Sequence, residues 1–91
     1  MAMRTVELGP EWGIESSEAL KAALAAHVDA ADEVVLAAPQ AGRVHSASIQ
    51  LLLAFVRTRR AAGRATRIAP CADAVRDAAA TLGLSAELGL T

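Results

Sequence analysis

The residues best suited to chemistry lie in one short stretch, Val44 to Leu53, in which a histidine and two serines precede an apolar run. The apolar run predicts a helix that begins near Ser46 to Ser48. Backbone N–H groups and the positive end of the helix dipole point outward at such a start. A phosphate there would be stabilised, and its charge of roughly −2 would change what the surface binds. Ser46 is therefore interpreted either as a phosphoacceptor or as a plain helix N-cap.

Other reactive side chains allow a chemical and a structural interpretation. His45 and Ser46 could form a base and a nucleophile, but adjacent residues at a turn usually point apart, so a solvent-facing histidine is preferred. Cys71 precedes a predicted helix that would stabilise a thiolate, yet a half-buried structural thiol is favoured. His27 is expected at the surface or near a helix C-terminus. Two histidines and one cysteine without ligand spacing predict no metal site and no cofactor.

Basic residues are concentrated in one region, and the single tryptophan lies in another. Five of the nine basic residues are Arg57, Arg59, Arg60, Arg64 and Arg67. This run is either a solvated helix end or a basic patch for an acidic protein or a phosphate-bearing ligand. Trp12 is expected either to fill the core or to anchor an interface.

Length and composition limit the class of protein. A chain of 91 residues predicts a single domain, over residues 1–91, with little room for a deep cleft. A net charge of −1 and only two aromatic residues argue against nucleic-acid binding. No apolar run approaches the roughly 18 residues needed to span a bilayer, and a lone cysteine suits a reducing cytosol. We therefore expect a cytoplasmic protein with no direct membrane insertion.

Apolar periodicity predicts alternating strands and helices. Strands are expected over 5–8, 12–14, 33–37 and 65–69, the last ended by Pro70. The 33–37 strand is continuous and β-branched, so it should be covered on both faces. A first helix follows Ser16 or Ser17, with an apolar face of Leu20, Ala23, Leu24 and Val28.

Two further helices complete the prediction. The second ends near Ala62, with Gly63 beyond it, and its core face is Ile49, Leu52, Leu53 and Val56. The third spans about 73–82, its inward positions are Ala74, Val75, Ala78, Ala79 and Leu82, and Gly83-Leu84 suggests a Schellman ending. The tail over 85–90 is either a short last strand or a frayed end. This order predicts one α/β domain, a small mixed sheet of four or five strands packed with about three helices.

The Val44–Leu53 stretch and the order of elements resemble the STAS domain family, which includes anti-sigma factor antagonists and related small bacterial regulators. The matching residues are Val44, Ser46, Ala47, Gln50, Leu51, Leu52 and Leu53, with Ile49 in place of a leucine. The segments 60–64 and 81–84 also match the usual endings of the family's second and third helices. The resemblance covers nearly the whole chain.

The resemblance implies a protein-binding switch and not an enzyme. In phosphorylated members a serine kinase modifies the hydroxyl residue that corresponds to Ser46, and the phosphorylated domain releases its kinase or anti-sigma partner. The implied contact residues are His45, Ser46, Ala47, Ser48 and Gln50. His45 replaces the family's Asp, Ser48 replaces its Gly, and alanines 37 and 38 replace an acidic residue. The alternative is a phosphorylation-independent accessory subunit on the ATPase of a bacterial phospholipid ABC transporter.

Overall fold

Strands and helices alternate along the chain, with each helix following a strand. A computed structural model describes residues 2–90. The elements are β1 (Met3–Glu7), α1 (Ser17–Ala25), β2 (Glu33–Ala38), α2 (Ser46–Ala61), β3 (Thr66–Cys71) and α3 (Asp73–Thr81). A single 3₁₀ turn, Ile14–Ser16, leads into α1. Across residues 2–90, no helix is long and apolar enough to cross a membrane.

The three strands form a parallel sheet in the order β1-β2-β3. Val6, Leu36 and Ile68 lie side by side in register and face the core. Right-handed crossovers between sequential parallel strands place the connecting helices on one face of the sheet. The β2 strand lies in the middle, and Val34 to Ala38 are all buried, in agreement with the prediction from its continuous apolar run that neither face is exposed to solvent.

The expected second strand at 12–14 is wrong. Trp12 makes only an isolated parallel bridge to Val44, and the chain then enters the 3₁₀ turn. Glycines at 9 and 13 and a proline at 10 leave too few residues for a ladder. A mixed sheet of four or five strands is accordingly not confirmed, because the described residues contain three strands, all parallel.

The helix faces follow the predicted periodicity. All four predicted core positions of α2 are buried, as are Leu20 and Leu24 of α1 and Val75 and Ala79 of α3. Leu82 is an exception, because it caps α3 and remains 39% exposed. Val28 lies beyond the end of α1 and is half-buried against the core.

Helices α2 and α3 end in the same way. Gly63 and Gly83 both adopt a φ of 72°, which glycine tolerates without a steric penalty. The next residue in each case reaches back five positions, with Arg64 N–H on the Arg59 carbonyl at 2.9 Å and Leu84 N–H on Ala79 at 2.8 Å. These are Schellman closures, so both predicted endings are confirmed.

The tail is neither a strand nor a frayed end through residue 90. It forms a further helical turn, in which Leu90 N–H donates to the Ser85 carbonyl at 2.8 Å and Gly89 has a φ of 71°. Leu88 and Leu90 are buried in the core. The spacing of Leu84 and Leu88 was the available signal, since residues four apart share one face of a helical turn.

The third strand runs past its predicted end. Pro70 lies within β3, which continues to Cys71. An edge strand can accept proline because one side of its backbone has no ladder partner to lose.

Candidate functional site

The start of α2 is fixed to the segment around Trp12. The Trp12 carbonyl accepts two hydrogen bonds, from His45 N–H at 2.9 Å and from the Ser48 hydroxyl at 3.0 Å. The indole of Trp12 is 1% exposed and donates through Nε1 to the Gly9 carbonyl at 2.8 Å. The Trp12 side chain thus fills the core, and its carbonyl holds the beginning of α2 in place through two hydrogen bonds.

The N-cap of α2 is His45 and not Ser46. His45 has extended backbone angles, and its Nδ1 accepts a hydrogen bond from Ala47 N–H at 3.1 Å. An accepting Nδ1 requires a neutral imidazole with the proton on Nε2. His45 therefore performs the acceptor role that an Asp commonly has at an N-cap. The interpretation of Ser46 as the cap is wrong because Ser46 is already the first helical residue.

The two serines of this segment have opposite environments. Ser46 is exposed, and its hydroxyl makes no hydrogen bond within residues 2–90. Ser48 is fully buried, and its hydroxyl is engaged by Trp12. Of the other predicted contact residues, His45 and Gln50 are exposed and Ala47 is half-buried. The outer surface is formed by residues 45–47 and 50, with Ser48 beneath it.

The segment that forms this surface contains no acidic residue. No Asp or Glu occurs between residues 39 and 50, whereas Arg43 lies in the preceding loop and is exposed. The alanines 37 and 38, at the end of β2, are buried. The helix dipole adds a partial positive charge at the first turn of α2. Added negative charge at Ser46 would therefore meet no nearby carboxylate of this segment.

Within residues 2–90, no hydrogen bond joins Cys71 or His45 to a second nucleophilic or acidic side chain. Burial raises the pKa of the Cys71 thiol, which Arg76 opposes and Asp73 reinforces, so the thiol is held in its protonated form. His45 Nδ1 is committed to Ala47 and makes no hydrogen bond to Ser46 within residues 2–90. The same residues contain no group of three or more His, Cys, Asp or Glu placed to hold a metal ion.

The four surface arginines of the basic run are engaged within the chain. Arg57 pairs with the Glu87 carboxylate, with Nη2 at 2.6 Å and Nε at 2.8 Å, and Arg60 donates to the Glu87 carbonyl. Arg64 donates to the Asp29 carbonyl, and Arg67 Nε lies 3.3 Å from the Glu33 carboxylate. The run does not present a set of unengaged guanidinium groups to a partner.

Arg59, the fifth member of the run, is fully buried. Its Nε donates to Thr66 Oγ1 at 2.5 Å, and its two terminal nitrogens donate to backbone carbonyls in two loops. These carbonyls belong to His27, Val28, Ala30, Asp32 and Ala65, at 2.8 to 3.3 Å. The pKa of Arg59 is lowered by burial first, then by the charges of Arg64 and Arg4.

The role of Arg59 was missed at the sequence level, although a signal was present. Position 59 follows Val56 by three residues and so continues the apolar face of α2. A charged residue on a core face requires internal partners. The arginine joins the loop after α1 to the loop before β3, with its aliphatic stem in the core and its guanidinium 5.9 Å from the Phe55 ring centroid.

Comparison with known proteins identifies the family. A family model described as "Mlab, STAS domain" matches residues 2–90. No curated protein and no solved structure matched the chain. STAS domains are generally non-catalytic modules that bind other proteins. With nearly the whole chain matched, and with the expected motif at the start of α2, the protein belongs to the STAS domain family.

Proposed function

We propose that this protein is a cytoplasmic, non-enzymatic regulatory module that binds a protein partner through the start of α2. The contact surface comprises His45, Ser46, Ala47 and Gln50, and Ser48 supports it from beneath. The observation that carries the proposal is the contrast between the two serines. Ser46 presents an unengaged hydroxyl at the first helical position, while Ser48 fixes that position to the Trp12 carbonyl. A fixed, exposed hydroxyl at a helix start is suited to a binding contact that charge can alter.

In the first form of the proposal, Ser46 is a phosphoacceptor. A phosphate on Ser46 would lie beside the free N–H groups of the first turn of α2, which stabilise negative charge. Its charge of roughly −2 would oppose burial in an interface and would repel an acidic partner surface. The partner is then a serine kinase or an anti-sigma factor that is released on phosphorylation.

A second form has a specific observation in its favour. The matching family model is described as "Mlab, STAS domain", and residues 39–50 contain no carboxylate that could help to orient a hydroxyl for phosphoryl transfer. His45 occupies the place where phosphorylated members carry Asp. In this form the protein is a phosphorylation-independent accessory subunit of a transporter ATPase of the phospholipid type, and Ser46 is an ordinary contact residue.

Affinity capture from the native cell tests the proposal. The baits are the wild type, Ser46→Ala, Ser46→Asp and Ala54→Asp, the last adding the same charge at an exposed position two turns along α2. We expect one partner to bind the wild type, Ser46→Ala and Ala54→Asp, and to be lost from Ser46→Asp. Equal binding of all four would contradict a contact in which the charge at Ser46 decides binding, and with it the first form of the proposal.

The two forms are then separated by the partner and by the native protein itself. Mass spectrometry of the protein purified from its own cell should show phosphate on Ser46 in the first form. In the second form, the partner is an ATPase that co-purifies in fixed stoichiometry with an unmodified chain. A kinase partner without any phosphate at Ser46 would contradict the first form.

A further inference from the structure

A groove whose lining contains no residue of α2 opens between the carboxyl end of β1 and helix α1. Its volume is about 280 Å³, and its lining is mostly apolar, with Leu8, Leu20 and Ala23 among its walls. Trp12 also contributes to the lining. Pockets for drug-sized ligands usually measure about 300–1,000 Å³, so this groove fits one or two apolar side chains better than a cofactor.

The rim of the groove is acidic. Glu7 and Glu11 line it, and both are exposed and take part in no salt bridge within residues 2–90. Residues 5–20 contain four glutamates and no Lys or Arg. Arg4, just before this segment, is paired with Asp32 at 3.5 Å. Lys21, just after it, lines a different groove between α1 and α2.

We infer that this groove docks a basic, partly apolar segment of a protein partner. One or two apolar side chains of that segment fill the groove, and flanking Lys or Arg side chains contact Glu7 and Glu11. Charge complementarity supports this occupant, because the rim carboxylates have no partner of their own in the described chain. The inference goes beyond the proposed function, since it involves neither Ser46 nor phosphorylation.

Trp12 makes the inference directly testable, because it is the only tryptophan of the chain and, although buried, forms part of the groove wall. The probe is the amidated peptide KRLLKR, titrated into the full-length protein with calorimetry for affinity and Trp12 emission for location. We expect saturable binding with a parallel change in Trp12 emission that weakens as salt is added. A titration without saturable heat would overturn the inference.

Matched variants separate the charge of the rim from the shape of the groove. The double variant Glu7→Gln/Glu11→Gln should bind the peptide about tenfold more weakly, the loss that two exposed ion pairs can supply. The control Asp29→Asn/Asp77→Asn removes two exposed carboxylates elsewhere and should bind as the wild type does. Ala19→Leu keeps every charge but fills the groove, and it should abolish the emission change.

Two outcomes would overturn the inference while leaving the proposed function intact. One is equal weakening in both double variants, which would mean that net charge alone attracts the peptide. The other is an equal response to spermidine, which carries positive charge without an apolar side chain. The converse outcome is that the peptide binds as expected while Ser46→Asp still captures every native partner. That result would contradict the proposed switch at Ser46 and leave the inference about the groove intact.

Discussion

The two ends of α2 differ in how their polar side chains are engaged, and the difference is the opposite of what their sequences suggest. The carboxyl end, from Arg57 to Arg64, carries four arginines, and each is engaged by a carboxylate, a carbonyl or a hydroxyl of the same chain. The amino end carries few polar groups, yet it leaves the Ser46 hydroxyl exposed. The dense run of arginines in the sequence thus corresponds to side chains that already have partners within the chain. Whether a charged side chain is available to another molecule depends on whether the fold supplies hydrogen-bond or ion-pair partners for it.

The difference follows from helix geometry and, more directly, from the segments that pack at each end, because the acceptors of these arginines lie outside α2. The carboxyl end of a helix presents unpaired carbonyls and the negative end of the dipole, which attract guanidinium groups. The loop after α1 and the tail bring further carbonyls close to that end of α2. The amino end instead needs acceptors, and it obtains them from one side chain, His45. The first turn retains outward N–H groups and an exposed hydroxyl.

The largest effect is expected at Arg59. Arg59→Met keeps an apolar stem but leaves buried carbonyls without donors, so the free energy of unfolding should fall by about 3–5 kcal/mol in urea denaturation. Arg59→Lys should recover part of this loss, because an ammonium group has three donors rather than five. A Met variant within about 1 kcal/mol of the wild type would show that water replaces the guanidinium.

Substitutions of the two serines should affect stability to different extents, because one hydroxyl is buried and the other is exposed. Ser48→Ala removes the hydrogen bond to the Trp12 carbonyl, which keeps its bond from His45 N–H, so the cost should be about 1 kcal/mol. Ser46→Ala should change stability by less than about 0.5 kcal/mol, because the site is exposed. Thermal unfolding of both variants checks this. Equal losses would mean that Ser46 also supports the fold.

Substitutions at His45 should change the stability of the protein in both directions. His45→Ala removes the N-cap acceptor and should destabilise the protein by about 1 kcal/mol. His45→Asp retains an acceptor, adds a favourable charge at the helix start, and should stabilise it by a few tenths of a kcal/mol. Denaturation midpoints at neutral pH provide the measurement. Indistinguishable Ala and Asp variants would show that the cap does not contribute.

The smallest effect is expected at the exposed pair of Arg57 and Glu87. Both side chains are largely exposed, at 61% and 46%, so Arg57→Ala should cost less than about 1 kcal/mol. The difference should shrink in about 1 M salt, where screening is strong. A larger loss that salt does not change would indicate that the pair fixes the tail against α2.

Periodicity predicted the parts of this fold in which one face of an element is apolar. The core face of α2, the buried central strand and the endings at Gly63 and Gly83 needed only local information. The segment 12–14 was mispredicted, because its one bridge joins Trp12 to Val44, a residue distant in sequence that local patterning does not reveal. The tail was missed for a similar reason, since Leu88 is buried by tertiary contacts and not by local preference.

The candidate site, like the fold, could be predicted from the sequence only in part. The stretch around Ser46 was found from residue types at a predicted helix start. The exposure of Ser46 and the burial of Ser48 depend on the Trp12 carbonyl, which lies 36 residues away from Ser48. The acidic groove was not predicted, because its walls come from β1, the following loop and α1 together.

The partners of Arg59 also determine how this protein tolerates substitution. Five of its hydrogen-bond acceptors are backbone carbonyls, which every amino acid possesses. Replacing the side chains of exposed or half-buried residues such as His27, Asp32 or Ala65 leaves those acceptors present. In a saturation library, position 59 should therefore be intolerant while these three positions accept many residues. This hydrogen-bond network therefore depends on the identity of the donor residue, Arg59, and hardly at all on the identities of the residues that supply its acceptors.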